Sequence, residues 1–241
     1  MDTFTLSTVA EFGVWFVVFL FSSTLHEAAH ALAARLGGDD TAYEGGQVTL
    51  NPLPHIRREP FGMILVPIAS FFFAGWMMGW ASTPYDPAWA ERYPRRQAAM
   101  SAAGPLANLL IAVSAFCVLF SMIGAGVLVA PAELTFSHLA EPAARFGQDT
   151  LLNPLTAALS VAMSLNLLLF LFNLMPIPPL DGSGIVHGLF PGSAGRLVEA
   201  VRRNPMLSMI GLLVAWRVFP FAFRPVFALA RNLLHPGMYG M

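Results

Sequence analysis

The segment His26-Glu27-Ala28-Ala29-His30 sets two imidazoles four positions apart, with a carboxylate beside the first. On an α-helix such positions project from one face about a turn apart, so both rings can reach one tetrahedral zinc while Glu27 sits next to it. This grouping suits metal-assisted hydrolysis. Zinc lowers the pKa of a bound water to about 7, and a neighbouring carboxylate can take its proton and later pass it to a leaving amine. Taken alone, the five residues also fit two core histidines and a stray glutamate on a buried helix.

The element that must carry them is unusual. Residues 12–25 (FGVWFVVFLFSSTL) are almost wholly apolar, and residues 31–34 continue the run to Arg35. A helix at a soluble protein's surface keeps a polar face, whereas this one is apolar all round except at the motif. About 23 residues at about 1.5 Å each are enough to cross a bilayer. Ionisable groups at that depth are costly and are read as functional by default.

The whole chain agrees. Its 241 residues are 56% hydrophobic and only 11% charged, with a mean hydropathy of +0.63, which describes an integral membrane protein. The 13 basic residues are all arginine, and a net charge of -1 lacks the basic excess that nucleic-acid binding would require. A single cysteine, Cys117, excludes a disulfide framework and a cysteine metal site, and its apolar surroundings predict a small core residue. The opening MDTFTLSTVAEFG has no basic n-region and carries Asp2 and Glu11, so the first span is expected to stay in the mature protein.

Past Arg35, the polar stretch 37–60 contains Gly45-Gly46 flanked by Thr41-Ala-Tyr43 and Gln47-Val-Thr-Leu50. That pattern predicts a β-hairpin over 41–50, either a joint between membrane segments or an edge able to hold an extended peptide. His55 can supply a polar group to the site or simply be solvated, while His138, His187 and His235 lack partners at ligand spacing. Residues 62–81 form a second apolar stretch, interrupted by Pro67, Gly75 and Gly79. The third, about 98–130, opens with Ala103-Gly104-Pro105-Leu-Ala-Asn108, where small residues allow close packing and Asn108 can brace another helix or face the site. A fourth, about 155–175, runs into Asn173-Leu-Met-Pro176-Ile-Pro178-Pro179-Leu-Asp181-Gly182. Three prolines must end or unwind that helix. Broken helices at membrane depth are tolerated where they line a site, and this one presents Asp181, the expected third metal ligand; an Asp-Gly turn outside the membrane is the alternative. Residues 206–234 are apolar but hold Arg217, Pro220, Arg224 and Pro225, and can span, kink or lie at the interface.

Three of these elements, in order, resemble the site-2 protease family of intramembrane zinc metalloproteases: the HExxH helix, Gly104-Pro105-x-x-Asn108, and Asn173-x-x-Pro-x-x-Pro-Leu-Asp-Gly182. The resemblance covers about residues 22–184. It implies His26, His30 and Asp181 as ligands of one Zn2+, Glu27 as general base, and Asn173 near the substrate carbonyl, with Asn108 a further candidate for substrate binding. Thr49-Leu-Asn51-Pro52 followed by His55 is similar to the compact branch of the family, although Arg57 stands where that branch usually has an acid. The implied substrates are transmembrane or membrane-associated protein segments. A soluble zincin of the HExxHxxGxxH type would need a glycine at position 33 and its third histidine at position 36, where Ala33 and Leu36 stand. A zinc-binding membrane scaffold or transporter would need the ligands but not Glu27.

One zinc also constrains topology. If 62–81 crossed the bilayer, the end of the His26 helix and the broken end carrying Asp181 would lie on opposite sides of a core about 30 Å thick. A re-entrant course brings them together. It also puts Arg35, Arg57, Arg58, Arg92, Arg95, Arg96, Arg196, Arg202 and Arg203 on one side against Arg145 on the other, which the positive-inside rule makes the cytoplasmic side. The expected fold is an all-α polytopic membrane protein, with about 4–5 hydrophobic helices, a re-entrant segment and a short β-hairpin near the active site. It forms a single domain over 1–241 in the cell membrane, with a core at 12–188 and a segment 189–241 whose topology the pattern leaves open.

Overall fold

The structure, a computed structural model, describes residues 6–147, 151–190 and 192–238. Helix α1 (Leu6–Leu36) carries the paired histidines towards its C-terminal end. That end is tied down by Trp89 Nε1–H and an Arg96 guanidinium N–H, which donate to the Gly37 carbonyl at 2.9 and 3.0 Å.

The expected hairpin over 41–50 is absent. Residues Thr41–Glu44 form one helical turn, α2. Gly46, at φ +71°, closes it: Gly46 N–H donates to Tyr43 O and Gln47 N–H to Ala42 O, both at 2.9 Å. This is a helix C-cap that needs a left-handed glycine just as a hairpin turn does. Ala42 is buried, and the Arg35 guanidinium lies 3.3 Å from the Tyr43 ring centre, so the turn packs on α1 instead of extending.

Helix α3 (Pro52–Arg58) begins with Pro52 in its first turn and with Asn51 accepting from Leu53 N–H. A π-helical turn (Phe61–Leu65) leads into α4 (Val66–Ala74), which Gly75 ends at φ +75°. The chain then doubles back without regular structure, and Trp80 N–H donates to Gly62 O at 3.2 Å. Residues 62–81 therefore enter and leave at one end of the molecule. A Cβ on Gly62 would overlap the Trp80 carbonyl, so the close return depends on that glycine.

Helix α5 (Pro87–Arg92) precedes α6 (Pro94–Gly124), the central helix, which packs against α1, α7 (Leu152–Asn173) and α8 (Asp181–Leu189). Between α6 and α7 a two-stranded hairpin pairs β1 (Leu128–Val129) antiparallel with β2 (Glu141–Pro142). It lies roughly 30 Å of helix away from the histidines, beyond the far end of α6. The short hairpin thus exists, but at the opposite end from the metal motif. Helix α9 (Ser193–Arg202) is amphipathic, and α10 (Pro205–Leu234) is one 30-residue helix that accommodates Pro220 and Pro225.

Among the described residues four helices, α1, α6, α7 and α10, are long and apolar enough to cross a membrane. Their outer surfaces carry large bare hydrophobes, such as Phe221 at 81% exposure; Phe73 on α4 reaches 92%. A bilayer would cover such surfaces, and water would not. Cys117 is exposed among them and is not the core residue its surroundings suggested. Trp15 stacks on Phe136, and His235 Nε2 meets Leu139 O at 2.7 Å. The start of α1, the loop holding the hairpin and the end of α10 therefore share one end, with the metal motif near the other.

Candidate metal centre

Four elements meet around the histidines. From α1, His26, Glu27 and His30 are 8%, 5% and 5% exposed. From the start of α8, Asp181 reaches across, with Oδ2 at 3.2 Å from His26 Nε2 and Oδ1 at 3.4 Å from His30 Nε2. The two Nε2 atoms are 2.9 Å apart. Atoms about 2.0–2.1 Å from one tetrahedral zinc stand roughly 3.3 Å from each other, so this triangle has the size of three faces-sharing ligand positions. Glu27 offers its carboxylate within 4.8 Å of both imidazoles.

The rings are oriented from behind. His26 Nδ1 meets Asn108 Oδ1 at 2.5 Å, and His30 Nδ1 meets the Met100 carbonyl at 2.7 Å. Both partners can accept from Nδ1–H, an arrangement that leaves each Nε2 facing the centre and able to bind a metal. Helix α6 supplies both partners and also the space. A Cβ on Gly104 would overlap His26 Nε2 and His30 Nε2, so α6 passes close to the centre only because residue 104 is glycine. One residue on, Pro105 cannot donate to the Ser101 carbonyl.

The donor set fits zinc: two imidazoles and one carboxylate at mutual ligand distances, with a partner on each Nδ1. A cavity of about 700 Å³ opens beside them, lined among others by Ser23, Glu27, Thr83, Phe172, Asn173 and Leu212. Thr83, on the returning limb of the re-entrant segment, donates its hydroxyl to Glu27 Oε2 at 2.6 Å. The same limb brings Gly79 through Ser82 to the cavity wall.

Of the residues singled out in the sequence, His26, Glu27, His30 and Asp181 come together, and Asn173 lines the cavity. Asn108 does not reach it. It is fully buried behind His26, with its Nδ2 donated to Asn166 at 2.8 Å, which makes it a brace and removes it from contact with substrate. His55 is also buried, with Nε2 at 3.1 Å from Thr49 O, away from the cavity. Thr83 and the Met100 carbonyl were not foreseen. Neither carries a motif: one arrives by chain reversal and the other is main chain.

An HExxH helix embedded among membrane-spanning helices, with a carboxylate delivered by a broken one, defines a membrane zinc hydrolase. The chain belongs to peptidase family M50, the site-2 protease family, whose family model matches residues 14–217. It is 34% identical over 202 residues to a Bacillus subtilis (strain 168) protein entitled "Putative zinc metalloprotease YwhC", a match covering 83% of this chain and 80% of that one. No solved structure matches it. It is accordingly a zinc metalloprotease and a membrane protein.

Proposed function

We propose that this protease hydrolyses peptide bonds in transmembrane or membrane-associated protein segments, with one Zn2+ held by His26, His30 and Asp181 and with Glu27 as general base. The observation that carries the reading is the triangle of His26, His30 and Asp181 donor atoms at 2.9–3.4 Å, opening on a cavity walled by apolar helices. Zinc, when bound, supplies the Lewis acidity that polarises a scissile carbonyl and makes a water acidic. Glu27 takes the water's proton and delivers it to the leaving amine. Thr83 occupies one oxygen of that carboxylate and fixes its plane.

A transmembrane substrate hides its carbonyls in helical hydrogen bonds and must unwind to be cut. The returning limb supplies what the absent 41–50 hairpin was expected to supply. Ala81, Ser82 and Thr83 line the cavity, and among the described residues their main-chain groups have no main-chain partner. An extended peptide can pair there, as a strand adds to an edge. Asn173 also lines the cavity, which supports its assignment as the residue that holds the substrate carbonyl. Asn108 acts through His26 instead.

The arginines support an active site near the cytoplasmic face of the cell membrane. Those of α3, α5, α9 and the start of α6 gather at the end of the molecule that holds the centre.

The test is cleavage of transmembrane peptides by purified protein in detergent, with and without a zinc chelator, beside Glu27→Gln. The amide keeps the shape but cannot accept a proton, so turnover is expected to fall by at least roughly a hundredfold with zinc retained. Undiminished cleavage by the variant would overturn the reading.

A further inference from the structure

A histidine binds metal through Nε2 only in the tautomer that carries its proton on Nδ1. For His30 a single contact decides this, because the Met100 carbonyl can only accept. For His26 it does not. Its partner is a side-chain amide, and an amide turned over would present NH2 to Nδ1 and leave the proton on Nε2, where the metal must bind.

What prevents that turn lies two helices away. Asn108 Nδ2 donates to Asn166 Oδ1 at 2.8 Å. Asn166 Nδ2 donates in turn to the Ala162 carbonyl and to Ser22 Oγ, each at 2.8 Å. The Ala162 carbonyl belongs to the backbone of α7 and has no proton to give. It therefore fixes the sense of each bond that follows: Asn166 presents NH2 to Ala162 and oxygen to Asn108, so Asn108 presents NH2 to Asn166 and oxygen to His26. Ser22, Asn108 and Asn166 are each 0% exposed, so no solvent competes.

We propose that Asn166 is a positioning residue, which sets the tautomer and direction of His26 through Asn108 and thereby makes His26 a competent zinc ligand. This rests on the reading of His26 as a ligand. Asn166 lies in the run Ser-Leu-Asn-Leu-Leu-Leu, where an amide within a membrane helix is ordinarily a clasp between helices. A clasp holds whichever way its bonds run. A relay works in only one direction, and zinc affinity reads the difference.

The experiment is zinc affinity in detergent, by competition with a chromophoric chelator, for wild type, Asn166→Leu, Asn166→Asp, Asn108→Leu, the Asn108→Leu/Asn166→Leu double variant and His26→Ala. Asn166→Leu is expected to lose about 10–100-fold in affinity, the range for partners that orient metal-bound histidines. Asn166→Asp, protonated in this apolar position, still accepts from Asn108 and donates to Ala162, and stays near wild type. The double variant is no weaker than Asn108→Leu, because Asn166 acts only through Asn108. If Asn166→Leu does not fold, Asn166→Ala, whose cavity admits a water that can bond in either sense, takes its place with the same expectations. Wild-type affinity in the Asn166 variant, or losses that multiply in the double variant, would overturn the relay. Wild-type affinity in His26→Ala would instead remove His26 from the metal site and overturn the underlying reading.

Discussion

Thr83 and Glu27, 56 positions apart, meet through a 2.6 Å hydrogen bond from the threonine hydroxyl to Oε2 of the glutamate. The same hydroxyl lies 3.0 Å from the Glu27 carbonyl, so the contact holds both the carboxylate and the helix that bears it. A hydrogen bond to a charged group contributes about 1.5–3 kcal/mol. On the proposed mechanism, that bond would keep Glu27 aimed at the water whose proton it takes.

Thr83→Val keeps the side-chain volume and removes the donor. Its kcat for a transmembrane peptide is expected to fall about tenfold, a share of one charged hydrogen bond, with zinc content unchanged. Thr83→Ser restores the hydroxyl and most of the rate. Wild-type turnover in the valine variant would leave Thr83 as cavity lining only.

Gly104→Ala tests how closely α6 approaches the centre. The added methyl would overlap both Nε2 atoms, so either the helix or the rings must move. At least roughly a tenfold loss of zinc affinity is expected, read by metal analysis after dialysis against a mild chelator. Full zinc retention would mean that the helices part easily there.

How much of this was visible in the sequence depends on which contacts are local. The His26–His30 pair follows from helical spacing alone, and Asp181 from three prolines that leave a carboxylate on a broken end. The doubling back of 62–81 was legible because a single metal held from two elements, as proposed for His26, His30 and Asp181, requires it. The 41–50 pattern suggests a hairpin where there is none, because Gly45-Gly46 caps a helix with the same left-handed glycine that a hairpin turn uses, and only the packing of Ala42 and Tyr43 on α1 decides between them. Thr83 had no signal, since its role is made by chain reversal. Asn166 had one: an amide in the middle of an apolar span asks for a partner.

Asp39 ties the end of α1 to the stretch just beyond Thr83. Its carboxylate accepts from Thr41 N–H, from the Thr41 hydroxyl, and from Asp86 N–H at 2.9 Å. Burial pushes the carboxyl's pKa up, but those donors outweigh it and hold it below the usual value. A depressed folded pKa means that the stabilisation is complete above the unfolded value, about 3.9, and is lost as pH falls through the lower folded value. Asp39→Asn, which cannot ionise, is expected to be less stable by about 1–2 kcal/mol near neutral pH. The difference from wild type should narrow as pH drops below about 4, in thermal unfolding followed by circular dichroism. A constant difference across that range would assign the effect to shape and not charge.

Topology is open to a direct chemical test. The structure puts the two limbs of the re-entrant segment at one end, with Trp80 bonded back to Gly62, so α1, α6, α7 and α10 must alternate in direction with no further crossing between α1 and α6. Asp40 and Glu91 then lie at the end with the metal centre, and Glu141 at the other, beside the start of α7. Both Asp40 and Glu91 are exposed and Glu141 is half-buried, so single cysteines at all three can react once Cys117 is replaced. With the arginine-rich end in the cytoplasm, a membrane-impermeant thiol reagent on intact cells should label position 141 and spare 40 and 91, and permeabilisation should expose all three. Labelling of 40 and 91 with 141 protected would turn the protein over and put its active site outside. Labelling of 91 without 40 or 141 would mean that 62–81 crosses the bilayer after all, and His30 and Asp181 could not then share one metal.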